Sequence, residues 1–142
     1  ARRLRAFLDF LGHEYAGQAE AMRAETPQTL RRKLLAVHGI GRETADSIAL
    51  YAAGLPLFVV DAYTRRIGAR RGWFAGDEPY DDIQGLFMAR LPEDVALFND
   101  FHAQIVLLGK GICRPRPKCS TCPLARRCPR RGVPTQPRSA RR

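Results

Sequence analysis

The stretch Leu34-Leu35-Ala36-Val37-His38-Gly39-Ile40-Gly41-Arg42-Glu43-Thr44-Ala45-Asp46-Ser47-Ile48-Ala49-Leu50-Tyr51 joins two amphipathic helical patterns through a Gly-x-Gly turn. A lone aspartate, Asp61, follows seventeen residues after Thr44. Glycine accepts a positive φ and lets another backbone approach closely, so Gly39-Ile40-Gly41 exposes several N–H groups together. The second helix begins at this corner, and its free N–H groups and positive dipole end face the same way. Such a corner suits a phosphate oxygen, which points to nucleic acid.

Helical signals extend outward from this centre. Leu4, Phe7, Leu8, Leu11 and Tyr15 recur at helical spacing and predict a helix from Arg2 to about Met22. Thr26-Pro27 supplies an N-cap and a first-turn proline for a helix that turns Leu30, Leu34, Leu35 and Val37 inward. The hairpin's second helix, Arg42 to Ala53, is expected to bury Ala45, Ile48, Ala49 and Ala52 and to stop at Gly54. Leu55 to Val60 reads as an extended apolar connector. Asp61 then caps a helix over about Ala62 to Arg71, ended by Gly72. A loop from Trp73 to Pro79 precedes helices over Tyr80 to Leu91 and Glu93 to Gly109, and Gly111 leads into a loop that holds every cysteine. No segment alternates convincingly as a strand would. The predicted class is therefore all-α, a helical bundle with a helix-hairpin-helix motif and a C-terminal four-Cys loop.

The length, 142 residues, suits one domain with a small appendage. We divide it into a helical body at 1–112, a cysteine loop at 113–128 and a basic tail at 129–142. The longest apolar run, Ile48 to Val60, contains Gly54 and Pro56 and is too short to span a bilayer, so no membrane partner is expected. The chain opens on Ala1-Arg2-Arg3 with no signal-peptide pattern, and an intracellular, nucleoid-associated monomer in the cytoplasm is expected. The net charge of +10 is one-sided. Residues 113–142 hold ten of the 24 Lys and Arg and none of the 14 Asp and Glu, so residues 1–112 balance at fourteen of each. A basic block of this kind is an electrostatic footprint for a polyanion. Arg130 to Arg142, with Pro134 and Pro137, reads as a solvated disordered tail, whereas Arg114, Arg116 and Lys118 are locked between cysteines and are expected to touch phosphate.

Cys113, Cys119, Cys122 and Cys128 are spaced C-x5-C-x2-C-x5-C. Four thiolates within sixteen residues of an intracellular chain can surround one soft metal centre, either zinc or an iron–sulfur cluster. Zinc sites usually use two close pairs. Only Cys119 and Cys122 form such a pair here, so the spacing suits a [4Fe-4S] cluster better and leaves zinc as the alternative.

Glycine hairpin, following aspartate and terminal four-Cys loop, in this order, resemble the helix-hairpin-helix base-excision DNA glycosylases of the endonuclease III superfamily. The resemblance covers about residue 1 to Arg130. It implies that His38, Gly39, Ile40, Gly41, Arg42, Glu43 and Thr44 bind duplex DNA, that the cysteines hold a [4Fe-4S] cluster, and that Asp61 is the catalytic carboxylate. Physical chemistry agrees with that last role: cleaving an N-glycosidic bond builds positive charge on the sugar, which a carboxylate stabilises, or it activates water. The target base must first leave the stack. An N-cap role alone would also explain Asp61, and the two roles are compatible.

Two positions depart from the family pattern. Bifunctional members carry Lys directly after the Gly-x-Gly-Arg, where this chain has Glu43, which cannot form a Schiff base. The resemblance thus implies a monofunctional glycosylase without strand-cutting activity. The first cysteine gap is five residues where the endonuclease III pattern usually has six. Tyr63-Thr64-Arg65-Arg66 and Phe101-His102-Ala103-Gln104 look most like the alkylpurine (3-methyladenine) glycosylase branch. Stacking walls for a cationic purine are sought in Tyr63, Trp73 and Phe74, although each also reads as core. Lys110 faces either the pocket or a phosphate. His38 reads additionally as hairpin packing, and His102 as a residue near the core or pocket wall, neither as a metal ligand. The resemblance also implies helices upstream of Arg2 that complete the lesion pocket, so an N-terminally truncated chain is expected. A non-catalytic DNA-binding module with a structural metal loop is the alternative.

Overall fold

A computed structural model describes residues 2–133 of the chain. Helices are the regular structure, and no strand occurs among the described residues. Helix α1 (Arg2–Tyr15) stops earlier than its apolar spacing predicts. Ala16 and Gly17 both take left-handed backbone angles, and the Gly17 N–H turns back to the Leu11 carbonyl at 3.0 Å. The chain resumes as a 3-10 turn, Ala19–Ala24, which buries Met22.

Helix α2 (Pro27–Leu35) is capped as predicted, with Thr26 Oγ1 accepting from the Thr29 N–H at 3.2 Å. Leu30, Leu34 and Val37 are buried, but Leu35, predicted to face inward, lies on the solvent side. Helix α3 (Arg42–Ser47) runs directly into a π turn, Ile48–Ala52. The Ala53 N–H bonds the Ile48 carbonyl five residues back at 3.0 Å. That extra residue rotates the buried face onward, so Ala45, Ala49 and Ala53 are buried while Ala52, predicted inside, is exposed.

The connector passes between two hydrophobic cores. Leu55 and Leu57 join the first, with Met22, Leu30, Leu34 and Ala49. Phe58, Val59 and Val60 join the second, with Ile67, Ile83, Phe87 and Phe98. Phe58 stacks on Phe87 with ring centres 4.2 Å apart and meets the edge of Phe98 at 5.6 Å. Helix α4 (Ala62–Arg71) ends at Gly72, helix α5 (Tyr80–Met88) stops short of the predicted Leu91, and helix α6 (Val95–Gly111) starts two residues later than predicted. The start of α6 is set by Asp94, whose Oδ1 accepts from the Leu97 N–H at 2.7 Å. Gly109 permits the close approach of α4 and α6, since a β-carbon there would lie 2.5 Å from the Tyr63 ring. No helix among the described residues is long and apolar enough to cross a membrane.

One buried polar network ties these parts together. Asp46 is fully buried. Its Oδ1 accepts from Arg31 Nε at 2.7 Å and its Oδ2 from Gln84 Nε2 at 2.8 Å. Gln84 also donates to the Phe58 carbonyl at 2.7 Å, so α2, α3 and α5 meet at one carboxylate and Gln84 ties the connector to it. Removing the carboxylate strands the buried Gln84 amide and leaves Arg31 with Asp81 as its remaining partner, and Asp46→Ala is expected to cost about 2 kcal/mol of unfolding free energy. Urea denaturation should show a lower midpoint with an unchanged slope; an unchanged midpoint would remove the network from the fold's supports.

Candidate catalytic carboxylate and nucleic-acid interface

Gly39 carries φ 86°, a left-handed angle that favours glycine at the hairpin turn. A β-carbon there would also come within 2.5 Å of the Arg3 side chain, which reaches over from α1. Gly41 is the N-cap of α3 in an extended conformation and contributes no side-chain bond, which leaves the first N–H groups of that helix open. His38, Arg42, Glu43 and Thr44 are exposed on the same turn. Ile40 is half-buried and packs on the first core. His38 is therefore not a packing residue: the turn's inner side is occupied by Val37 and Ile40. Arg42 is held by Asp81 at 2.9 Å, yet both remain about half exposed. Arg3, remote in sequence, adds a cation to this corner that no motif announces.

The buried connector delivers Asp61 to the start of α4. Asp61 is 9% exposed, and its Oδ1 accepts from both the Thr64 N–H at 2.7 Å and the Thr64 hydroxyl at 2.9 Å. The capping role is thus real, and it occupies one oxygen only. Oδ2 faces His102 Nε2 at 3.5 Å, and the other ring nitrogen of His102 is engaged by the Tyr51 hydroxyl. His102 is 8% exposed, whereas Tyr51, in the π turn, is 51% exposed. Burial pushes the Asp61 carboxyl up, but the facing His102 ring and the two Thr64 donors outweigh it and hold the group below its ordinary value. Asp61 is therefore ionised at neutral and mildly acidic pH. Burial, reinforced by the charge on Asp61, pushes the Tyr51 phenol up. Sequence spacing places His102 near the core but misses its pairing with Tyr51, because that pair spans 51 residues.

Helix α4 also carries the cysteine loop. Arg66 donates to the Cys113 carbonyl at 2.8 Å and to the Gly109 carbonyl at 3.0 Å. Arg70 reaches the Cys113 sulfur at 3.3 Å and the Arg114 and Pro115 carbonyls at 2.5 and 2.9 Å, and Arg71 donates to the Arg127 carbonyl. All four cysteines are free thiols, half-buried around one shared cavity with Arg70, Ile112 and Pro117. No three His, Cys, Asp or Glu side chains converge on a single-ion site among the described residues. Four soft sulfur donors around one cavity are the ligand set that either zinc or an iron–sulfur cluster takes.

Arg114, Arg116 and Lys118 are exposed on the loop, and Lys110 is exposed just before it, its carbonyl accepting from Arg114 Nε at 2.8 Å. Tyr63 is half-buried against Gly109 with the Arg66 guanidinium 5.1 Å from its ring centre. Phe74 is core, packed on Gly68. Trp73 opens with Phe87 and Phe101 onto an apolar cavity of about 230 Å3 that Asp61 does not line. The described start of the predicted tail folds back, with the Arg131 N–H on the Arg70 carbonyl at 3.1 Å; residues 134–142 lie outside the described residues.

No protein-family model matches the chain. A protein of Methanocaldococcus jannaschii, provisionally named a DNA repair glycosylase, is 40% identical over 130 residues, which are 90% of this chain and 59% of that protein. Endonuclease III of Thermotoga maritima is 33% identical over 97 residues, 68% of this chain and 44% of its own length. A solved structure of a trapped covalent endonuclease III–DNA intermediate superposes with a TM-score of 0.73 at 25% identity, covering 89% of this chain and 55% of that one. The chain thus spans about half the length of the relatives it matches. In fold and in sequence, the chain belongs to the helix-hairpin-helix DNA glycosylase superfamily that includes endonuclease III.

Proposed function

We propose that the chain carries the backbone grip and the catalytic carboxylate of a base-excision DNA N-glycosylase acting on duplex DNA with a damaged base. The observation that carries this reading is Asp61: a buried, ionised carboxylate with one oxygen fixed by Thr64 and the other left for chemistry. An anion held there stabilises the cationic sugar as the base departs, or takes a proton from the attacking water. The exposed N–H groups of the hairpin, with Arg3 and Arg42, offer the phosphate grip. Arg114, Arg116 and Lys118 offer a second cationic strip. Both would act in an intracellular monomer. An alkylated purine is the lesion class the sequence resemblance favours.

Asp61→Asn is expected to lower single-turnover base release by about a hundredfold or more while DNA affinity is kept. Equal release by both proteins would remove Asp61 from the reaction and favour a non-catalytic binding module. Because the Asp61 pKa is lowered in the folded state, its stabilising contribution is complete above the ordinary carboxylate value and is lost as pH falls through the lowered one. The acid limb of base release should accordingly lie below about pH 3.9, the ordinary aspartate value, wherever the fold survives.

Glu43 stands where strand-cutting relatives carry the amine of a Schiff base, and a carboxylate cannot take that part. A monofunctional enzyme leaves an abasic site unbroken. Borohydride treatment during turnover should trap no covalent protein–DNA adduct; a trapped adduct would establish lyase chemistry through another amine.

Cys113, Cys119, Cys122 and Cys128 would hold a [4Fe-4S] cluster, whose part is to brace the basic loop, with Arg66 and Arg70 tying that loop to α4. Anaerobically purified protein is expected to be yellow-brown with about four irons per chain. Colourless protein with one zinc per chain would support the zinc alternative.

A further inference from the structure

Resting on the glycosylase reading above, we propose that His102 is a positioning residue for Asp61, anchored by Tyr51, and that it selects Oδ2 as the working oxygen of the carboxylate. The geometry leaves this residue little else to do. His102 is 8% exposed, its Nδ1 is taken by the Tyr51 hydroxyl, and its Nε2 is buried without a hydrogen-bond partner. That orphaned nitrogen is aimed at Asp61 Oδ2, 3.5 Å away. The gap is too long for a good hydrogen bond, yet Oδ2 is the acceptor the structure sets before this nitrogen, and a buried polar group calls for one.

The hydrogen-bond pattern also fixes the tautomer. Oδ1 of Asp61 already accepts two donors from Thr64. If the Tyr51 hydroxyl donates to Nδ1, the ring proton sits on Nε2 and points at the carboxylate. The opposite tautomer would set a lone pair against an anion. Electrostatics therefore selects Nε2–H facing Oδ2. The group facing this oxygen is His102 from α6, and the groups facing His102 are Asp61 and Tyr51, the Tyr51 phenol sensing the Asp61 charge across the ring. Tyr51 lies in the continuous helical run that begins at the hairpin, so seating the hairpin on a DNA backbone also places the hydroxyl that orients His102.

The test uses His102→Leu, His102→Asn and Tyr51→Phe in the chain as it stands. It reads the Asp61 carboxyl titration by carbon NMR without DNA, and single-turnover base release with DNA. His102→Leu is expected to raise the Asp61 titration midpoint and slow release about tenfold or more, with duplex affinity held within about twofold. His102→Asn, whose amide can restore an N–H donor, should recover part of both effects. Tyr51→Phe, at a half-exposed position that tolerates the loss of one oxygen, should show both in smaller measure and carries the test if His102→Leu does not fold. An Asp61 midpoint unchanged in every folded variant would overturn the proposal, as would full release by His102→Leu. Absent release by the wild-type chain would count against the glycosylase reading and not against this one, which the NMR arm then decides.

Discussion

The Asp61 oxygen that accepts two hydrogen bonds from Thr64 is the point on which the remaining architecture turns. Thr64 supplies both donors, one from its backbone and one from its hydroxyl, and together they start α4 and orient the carboxylate. An N-cap of this kind contributes about 1 kcal/mol to a helix. Here it does more, because the helix it starts is a scaffold for other parts. Three turns of α4 present Arg66, Arg70 and Arg71, which grip the carbonyls of the cysteine loop. The same helix packs Tyr63 on Gly109 and Gly68 under Phe74. Orientation of the carboxylate and attachment of the loop are thus properties of one rigid element.

On its other side Asp61 depends on the connector. Leu57 faces one core and Phe58 the other, so the strand-like segment is sewn into both halves of the structure before it reaches the site. Gln84 and the Tyr80 hydroxyl then bind its backbone, at the Phe58 carbonyl and the Val60 N–H. A buried segment with no sheet partner must satisfy its polar groups this way. The outcome is a carboxylate whose backbone cannot drift, which is what electrostatic preorganisation of a reaction requires.

Local signals in the sequence were legible wherever their cause was local. Thr26-Pro27, Gly39, Asp61 and Gly72 act through their own backbone angles and caps, and the structure places them as read. The four cysteines share a cavity, as close spacing implied. What was not legible depends on contacts far apart in the chain or on a departure from the ideal helical period. Arg3 meets Gly39 across 36 positions, and Tyr51 meets His102 across 51. Leu35 sits on a helix whose buried stripe is narrower than its composition suggests. His38 lies between packed neighbours in sequence, but the tight turn swings it outward.

The π turn at Ile48–Ala52 has a consequence for the geometry beside Asp61. A turn with one surplus residue is an insertion absorbed inside a helix, with the strain confined to a single wide loop of hydrogen bonds. Each residue advances a helix by about 100°. Removing the surplus one would bring Ala52 back to the core and carry the Tyr51 ring off its bearing on His102. The hydroxyl that holds the His102 ring thus owes its bearing to a counting irregularity within one helical run.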